Sequence, residues 1–365
     1  ALGIGVEPGG VSSMLRNVLA ATAVALMIVV ASQPRLRAQG QGVPTPEALA
    51  ASEEAQQHIA AAMRLAGSDL VDKAEALCSP AGPRRAALVR RAAGLPPVED
   101  YALEPTRVFE NLYYIGFSDV GAWAIDTSEG LILMDTLNSP VEARDVLVPG
   151  LEKLGLDPTQ IKYVVIGHGH NDHVGGASYL QQAYGARILI SEPDWGLALS
   201  GERPDRPRPT RDMVVTDGQQ LSLGDTTVTL AFTPGHTAGT LAMLVPVKHL
   251  GRTHTALIFS GTQMPTQESL ETFRHVFDDF ARPLEAETAL GGHPGVADLE
   301  GEDMERCLET GGPCWTQAMN TLELKEQLRQ RYPAGPHPLL LGPERFGRYM
   351  SIMVECASAK LAAME

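Results

Sequence analysis

A histidine-rich segment follows an apolar run in the middle of the chain, and it reads Val165-Ile166-Gly167-His168-Gly169-His170-Asn171-Asp172-His173-Val174-Gly175-Gly176. Four side chains that can bind a metal ion lie in it, namely His168, His170, Asp172 and His173. Imidazole nitrogens and a carboxylate oxygen are ligands that suit zinc. A loop that is polar by chance would also contain lysine, glutamate or serine, and this one does not. The segment therefore predicts a metal site at the end of a strand.

Short apolar runs on both sides of this segment predict an α/β fold. Strand-like runs precede it at 108–116, 121–127, 131–135 and 161–166, and they follow it at 186–191, 213–215, 221–223, 226–232, 242–247 and 255–259. A helical pattern over 139–154 separates two of the early runs, so the strands first follow one another and then alternate with helices. That order indicates an α/β sandwich rather than an all-β barrel.

Both ends of the main body are predicted to be helical. Residues 39–105 form a helical lead-in, because the sequence over 47–77 is rich in alanine and contains few residues that break a helix. Residues 106–365 form the main domain, and their pattern becomes helical beyond about residue 265. Apolar residues recur on one face over 346–364, which predicts a final helix that packs against the body.

The first residues predict an export signal. Met14 and Arg16 precede an uncharged stretch over 18–31, and Ala38 is among the small residues that follow it. The apolar core of a signal peptide has about 7–15 residues, whereas a membrane-spanning helix needs about 20. We therefore expect 1–38 to be an upstream extension with a signal peptide, and the protein to be periplasmic or secreted with no membrane span after processing. A retained anchor or a buried helix is the alternative.

Composition argues against nucleic acid as a partner. The 365-residue chain has 29 Lys and Arg against 44 Asp and Glu, and its net charge of −15 at pH 7 opposes binding to a phosphate backbone. Aromatic residues make up 5% of the chain and provide few surfaces on which bases could stack. We expect a small-molecule substrate, and the composition does not predict an oligomeric state.

The cysteine content favours structural disulfides. The chain has four cysteines, Cys78, Cys307, Cys314 and Cys356, and an even number is typical of exported proteins with disulfides. Four cysteines allow three pairings, and the sequence does not choose among them. Cys307 and Cys314 are near enough in sequence to close a local loop, which would leave Cys78 to pair with Cys356.

Four motifs, in this order, resemble those of the metallo-β-lactamase-fold superfamily. They are Asp135 at the end of a strand, the segment 168–173, Pro234-Gly235-His236-Thr237, and Gly291-Gly292-His293-Pro294. The order and spacing are similar to the family from about residue 106 to 295. The resemblance implies a four-layered αββα sandwich with a helical C-terminal extension.

The resemblance also implies two zinc ions per chain. The first would be held by His168, His170 and His236, and the second by Asp172, His173 and His293. Many hydrolases of the superfamily place a bridging aspartate in a Ser-Gly-Asp element, whereas this chain has Ser260-Gly261-Thr262. The third subclass of metallo-β-lactamases likewise has a residue that does not bind zinc at this place, so the motifs are most similar to that subclass.

These residues imply a hydrolase. Two zinc ions would lower the pKa of a shared water, and the resulting hydroxide would attack a carbonyl while Asp172, the catalytic residue, orients it. A β-lactam or a related cyclic amide or ester is the expected substrate. The alternatives are a thioesterase or lactonase of the same fold, similar to glyoxalase II, and a zinc-binding module without catalysis. A diiron redox centre is disfavoured, because His170 stands where that branch of the superfamily has a glutamate.

Overall fold

The computed structural model describes residues 44–79, 102–117, 120–201, 206–261, 267–291, 337 and 339–364. The chain divides into two units, Ala1–Gly42 and Val43–Glu365, and every described residue belongs to the second. The predicted signal segment 1–38 and the residues Thr262, His293, Cys307 and Cys314 lie outside the described residues. Within the described ranges, no helix has the length and apolar character needed to cross a membrane.

Seven strands form the first sheet, and they lie side by side in chain order. The strands are β1 (Thr106–Phe109), β2 (Leu112–Gly116), β3 (Gly121–Thr127), β4 (Gly130–Met134), β5 (Ile161–Val165), β6 (Arg187–Ser191) and β7 (Met213–Val215). Pairing is antiparallel from β1 to β4 and parallel from β4 to β7. Because β5 and β6 are parallel, the segments that follow them leave from the same edge of the sheet.

Five strands form the second sheet, in the order β12-β11-β10-β9-β8. The strands are β8 (Gln219–Leu223), β9 (Thr226–Phe232), β10 (Leu241–His249), β11 (Arg252–Phe259) and β12 (Ala286–Gly291). Neighbours are antiparallel except β11 and β12, which are parallel. Both sheets are therefore mixed.

Nine helical segments accompany the sheets in the described part of the chain. They are α1 (Pro46–Ala51), α2 (Glu53–Ala66), α3 (Val71–Cys78), α4 (Pro140–Glu142, continued by the π-helical Ala143–Leu147 and by Val148–Lys153), α5 (Asn171–Val174), α6 (Ala177–Tyr184), α7 (Glu192–Leu199), α8 (Gln267–His275, continued by the π-helical Val276–Ala281) and α9 (Pro343–Ala362). A short 3₁₀ turn, Pro158–Gln160, precedes β5.

Alternate residues of the strands face different layers, as the pleat of a strand requires. In β4, Leu133 packs with α4, α6 and α7, whereas Ile132 and Met134 pack against the second sheet. In β11, Ile258 faces the first sheet, whereas Leu257 packs with α2, α8 and α9. The layers therefore run helices, sheet, sheet, helices, and the αββα sandwich expected from the sequence is confirmed.

The strand predicted over 108–116 is in fact two strands. β1 ends at Phe109 and β2 begins at Leu112, and the two pair antiparallel. Asn111 lies in the turn between them, where its side chain donates to Pro246 O at 2.9 Å and accepts from Lys248 N at 2.8 Å. The prediction was wrong because the turn contains neither glycine nor proline and is stabilised by β10, which is distant in sequence.

The helix predicted over 47–77 is divided into α1, α2 and α3. Ser52 ends α1 and caps α2, since its hydroxyl accepts from Ala55 N at 3.2 Å. Gly67 ends α2 with a φ of 58°, a conformation that favours glycine. Two residues that disfavour a continuous helix thus set boundaries that the alanine-rich composition concealed.

The helical character predicted beyond residue 265 is interrupted by β12. This strand contains one β-branched residue, Thr288, so its own sequence gives little preference for an extended conformation. Parallel pairing with β11 at the edge of the second sheet stabilises it instead. The final helix predicted over 346–364 is present as α9, and it buries Phe346 and Met350.

Cys78 and Cys356 form a disulfide that joins α3 to α9. Both residues are buried among apolar side chains of the helical layer on the second sheet. The pairing that the sequence left open is therefore decided for these two cysteines.

Candidate metal centre

The segment after β5 and the short helix α5 carry the first set of predicted ligands. His168 and His170 lie in the segment, and Asp172 and His173 lie on α5. The segment packs closely on α7, since a Cβ atom at Gly169 would lie 2.8 Å from the carbonyl oxygen of Asp194 and 2.9 Å from the nitrogen of Ala198. Only glycine fits at this position without moving backbone atoms.

His236 approaches from the second sheet. It lies in the turn between β9 and β10, where Thr233 N donates to Thr240 O at 2.7 Å and Gly235 N donates to Thr237 O at 3.0 Å. Leu241 N, at the start of β10, donates to Gly167 O at 2.7 Å. This bond joins the turn of the second sheet to the segment that follows β5 in the first sheet.

The structure brings the predicted ligands together in two groups. One atom each of His168, His170 and His236 lie within 4.8 Å of one another, and the same holds for His168, Asp172 and His173. His170 Nδ1 is 3.0 Å from His236 Nε2. Nitrogens on a tetrahedral zinc ion, with bonds of about 2.0–2.1 Å, would be about 3.3 Å apart. The donor types and their separations therefore fit a metal ion.

The side chains of Asp135 and Ser260 contact ring nitrogens of two of the histidines. Asp135 is 1% exposed, and its carboxylate lies 2.7 Å from His173 Nδ1 and accepts from Gly167 N at 2.8 Å. The Ser260 hydroxyl lies 3.1 Å from His168 Nδ1 and donates to Asp135 at 3.1 Å. When the second ring nitrogen of a metal-binding histidine donates to a carboxylate, that hydrogen bond fixes the orientation and the tautomer of the ring.

One predicted ligand, His293, lies outside the described residues, as does Thr262. Gly291, the last residue of β12, is described and lies two positions before His293 in sequence. The carbonyl of Gly291 accepts from Trp123 Nε1 at 3.0 Å. Trp123 and Phe117 are both fully buried, so neither ring is exposed to solvent.

Asp194 lies beside the predicted ligands, although its sequence pattern did not single it out. Asp194 lies in the first turn of α7 and is 1% exposed. Its sequence context, Ser-Glu-Pro-Asp, is typical of the start of a helix and contains no signal for a second role. The residue is placed beside the ligands by the tertiary structure alone.

Residues 115–247 match the family model of the metallo-beta-lactamase superfamily, and this range contains five of the six predicted ligands. The match is confined to these residues, which are similar to that superfamily. The fold agrees: a subclass B3 metallo-β-lactamase of Bradyrhizobium japonicum is 24% identical, with 69% of this chain and 91% of that chain covered and a TM-score of 0.52.

Two proteins that are similar to part of this chain bear the names of other hydrolytic enzymes. A hydroxyacylglutathione hydrolase of Maricaulis maris is 32% identical over 143 residues, which are 37% of this chain and 50% of the relative. An N-acyl homoserine lactonase of Rhizobium radiobacter is 33% identical over 108 residues, which are 27% of this chain and 41% of the relative. The chain thus spans about half the length of these relatives or less.

Proposed function

We propose that the chain is a zinc-dependent hydrolase that cleaves an acyl bond of a small molecule. The observation that carries the proposal is the convergence of His168, His170 and His236, which come from two sheets and place their ring nitrogens within 4.8 Å of one another. His168 is buried and the other two rings are half-buried, so each ring has few neighbouring waters, and a shared metal ion would compensate for that loss.

The proposed arrangement uses two ions. His168, His170 and His236 hold one, and Asp172 and His173, together with His293, hold the other. Zinc bound there supplies Lewis acidity and lowers the pKa of a coordinated water toward neutrality. Asp135 orients His173 through the 2.7 Å contact with its Nδ1, and Ser260 orients His168 through the 3.1 Å contact with its Nδ1.

Asp172 is proposed as the catalytic carboxylate. Its side chain is 30% exposed, whereas that of His173 beside it is fully buried. The Asp172 carboxylate is therefore partly open to solvent, and it lies 3.7 Å from His173 Nε2. In this position it can orient a water for attack on a carbonyl and accept the proton that the water loses.

The proposed substrate is a β-lactam or a related cyclic amide or ester. The neutral Thr262 in the Ser-Gly-Thr element supports this class, because an anionic bridging residue is expected there in glyoxalase II-like enzymes. A thioester or lactone is the second candidate, and the relatives named as a hydroxyacylglutathione hydrolase and a lactonase support it. The fold by itself does not determine the substrate.

Substrate profiling of the zinc-loaded protein tests the proposal. Nitrocefin, a glutathione thioester and an N-acyl homoserine lactone are assayed side by side, with and without a chelator. We expect hydrolysis of at least one, with nitrocefin cleaved most efficiently, and we expect it to stop on chelation and return with zinc. A folded protein with two zinc ions that is inert toward the whole panel would instead indicate a binding module without catalysis.

His170→Ala and His236→Ala test the ligands of the first ion. Each should lower kcat/KM by about a thousandfold or more, because a lost ligand removes several kcal/mol of transition-state stabilisation. Both variants should keep the circular dichroism of the parent. His58→Ala is the matched control, since His58 lies on α2 and pairs with Glu355 of α9. Full activity in His170→Ala would contradict the proposed site.

We propose in addition that the protein works in the periplasm or outside the cell. The disulfide between Cys78 and Cys356 supports this, because disulfides persist in oxidising compartments. The pattern over 14–38 is that of a signal peptide. Fractionation of an expressing bacterium followed by intact-mass measurement tests it: we expect a chain shortened at its N-terminus, with oxidised cysteines, outside the cytoplasm. An uncleaved cytoplasmic chain with free thiols would contradict the proposal.

A further inference from the structure

Asp194 is a buried carboxylate that contacts both segments carrying the ligands of the first proposed ion. Its Oδ2 accepts from Gly169 N at 2.7 Å and from the Thr237 hydroxyl at 2.6 Å. Its Oδ1 accepts from Gly239 N at 2.9 Å. These donors come from two different parts of the chain, the segment after β5 and the turn between β9 and β10.

The donors lie next to the ligands in sequence. Gly169 stands between His168 and His170, and Thr237 directly follows His236. A carboxylate that holds Gly169 and Thr237 on the same oxygen therefore limits how far His170 and His236 can separate. Their ring nitrogens are 3.0 Å apart.

The packing around Asp194 leaves little freedom for these segments to move. A Cβ atom at Gly239 would lie 2.8 Å from Asp194 Oδ1, so the backbone of the turn rests directly on the carboxylate. The Ser191 hydroxyl, at the end of β6, donates to Gly239 O at 2.7 Å and holds the same turn. Hydrogen bonds to an ionised acceptor are stronger than those between neutral groups, and burial strengthens them further.

We infer that Asp194 is a positioning residue of the metal centre, which sets the distance between His170 and His236 by joining their two segments. The inference rests on the proposed function, since it assumes that these histidines bind zinc. A carboxylate is required because three donors converge on two oxygens. Asparagine has one acceptor oxygen and would turn its amide group toward at least one of the N–H or O–H donors.

Zinc titration of the metal-free protein tests the inference. Asp194→Asn should lower the zinc affinity about 10–100-fold, as is typical when a group that orients metal ligands is removed. The visible spectrum of the cobalt-substituted variant should also change, because the geometry of the nitrogens around the ion differs. Both measurements are made well below the melting temperature, where a role in stability alone would leave them unchanged.

Asp212→Asn is the matched control. Asp212 also accepts from a backbone amide, that of Ile188 at 3.1 Å, and it pairs with Arg187. Asp212 joins the amino ends of β6 and β7. The two segments that carry the proposed ligands instead follow the carboxyl ends of β5 and β9. We expect its zinc affinity and cobalt spectrum to equal those of the parent.

Thr237→Val and Thr237→Ser keep the inference testable if Asp194→Asn fails to fold. Thr237→Val removes the hydroxyl donor and should weaken zinc binding by about tenfold, while Thr237→Ser keeps the donor and should restore it. The inference is overturned if Asp194→Asn folds and keeps the zinc affinity and cobalt spectrum of the parent. If Asp194→Asn does not fold, the same result for Thr237→Val overturns it. A parent chain that binds no zinc would overturn the proposed function itself, and this inference with it.

Discussion

At the scale of single residues, the proposed metal centre depends on side chains that are not among its proposed ligands. Asp135 follows β4 directly and has a φ of 68°, a left-handed conformation that aspartate tolerates better than most residues. This conformation turns its carboxylate toward His173 and Gly167. Non-glycine residues in this region tend to occur at functional sites, where the surroundings hold them in place.

Removing the hydroxyl of Ser260 should weaken metal binding without unfolding the protein. In Ser260→Ala, the Nδ1 of His168 loses the partner at 3.1 Å and remains buried. Removing a group that orients a metal-binding histidine typically lowers metal affinity about 10–100-fold, so we expect zinc affinity to fall by about tenfold. Competition with a chromophoric chelator measures it. Ser222→Ala serves as the control, because it removes an exposed hydroxyl that is paired with Thr227. An equal zinc affinity in both variants would contradict the role of Ser260.

At the scale of secondary-structure elements, a histidine joins α8 to the turn between β7 and β8. His275 Nε2 lies 2.8 Å from the Asp217 carboxylate, and its Nδ1 pairs with Asp279. The hydrogen bond with Asp217 is the main cause that raises the pKa of His275 above its usual value of 6.5, with Asp279 acting in the same direction against partial burial. The charged imidazolium therefore holds these two elements together.

The contribution of His275 should consequently depend on pH. Because its folded-state pKa is raised, the stabilisation is fully present below pH 6.5 and is lost as the pH rises through the folded-state value. We expect the difference in melting temperature between the parent and His275→Gln to be largest at acidic pH and to shrink toward alkaline pH. Scanning calorimetry of both proteins across this range measures it. A difference in melting temperature that does not change with pH would show that the charge of His275 does not contribute to the pairing.

At the scale of the whole molecule, the disulfide between Cys78 and Cys356 closes a loop across 278 positions. It joins α3 to α9 in the helical layer on the second sheet, while the proposed ligands lie at the strand ends of the first sheet and the turn between β9 and β10. Stability and metal binding should therefore respond differently to its removal.

We expect Cys78→Ser with Cys356→Ser to lower the free energy of unfolding by about 2–5 kcal/mol, because the unfolded chain regains freedom that the crosslink had removed. The zinc affinity should remain that of the parent. Urea denaturation and zinc titration measure the two quantities, and a reducing agent should have the same effect on the parent as the substitutions. An unchanged unfolding midpoint would mean that the packing of α9 suffices without the crosslink.

Much of the fold followed from local patterns. The runs that became β3, β4, β5 and β6 were found to within one or two residues, because buried strands of an α/β fold are short and apolar. The hairpin at Asn111 and the strand β12 were missed, because each is stabilised by a neighbour distant in sequence, β10 in one case and β11 in the other. Contacts of that kind leave no periodic signal.

The chemistry of the proposed centre could be predicted without the structure: the types of the proposed ligands, their clustering around 168–173 and their place after a strand. The resemblance predicted that His170 and His236 share an ion, whereas their 3.0 Å contact, the pairing of Cys78 with Cys356 and the place of Asp194 between the two segments were seen in the folded chain. The physical reason is that strand and helix preferences act over a few neighbouring residues, whereas the meeting of distant segments depends on the order of the strands and on how the two sheets pack.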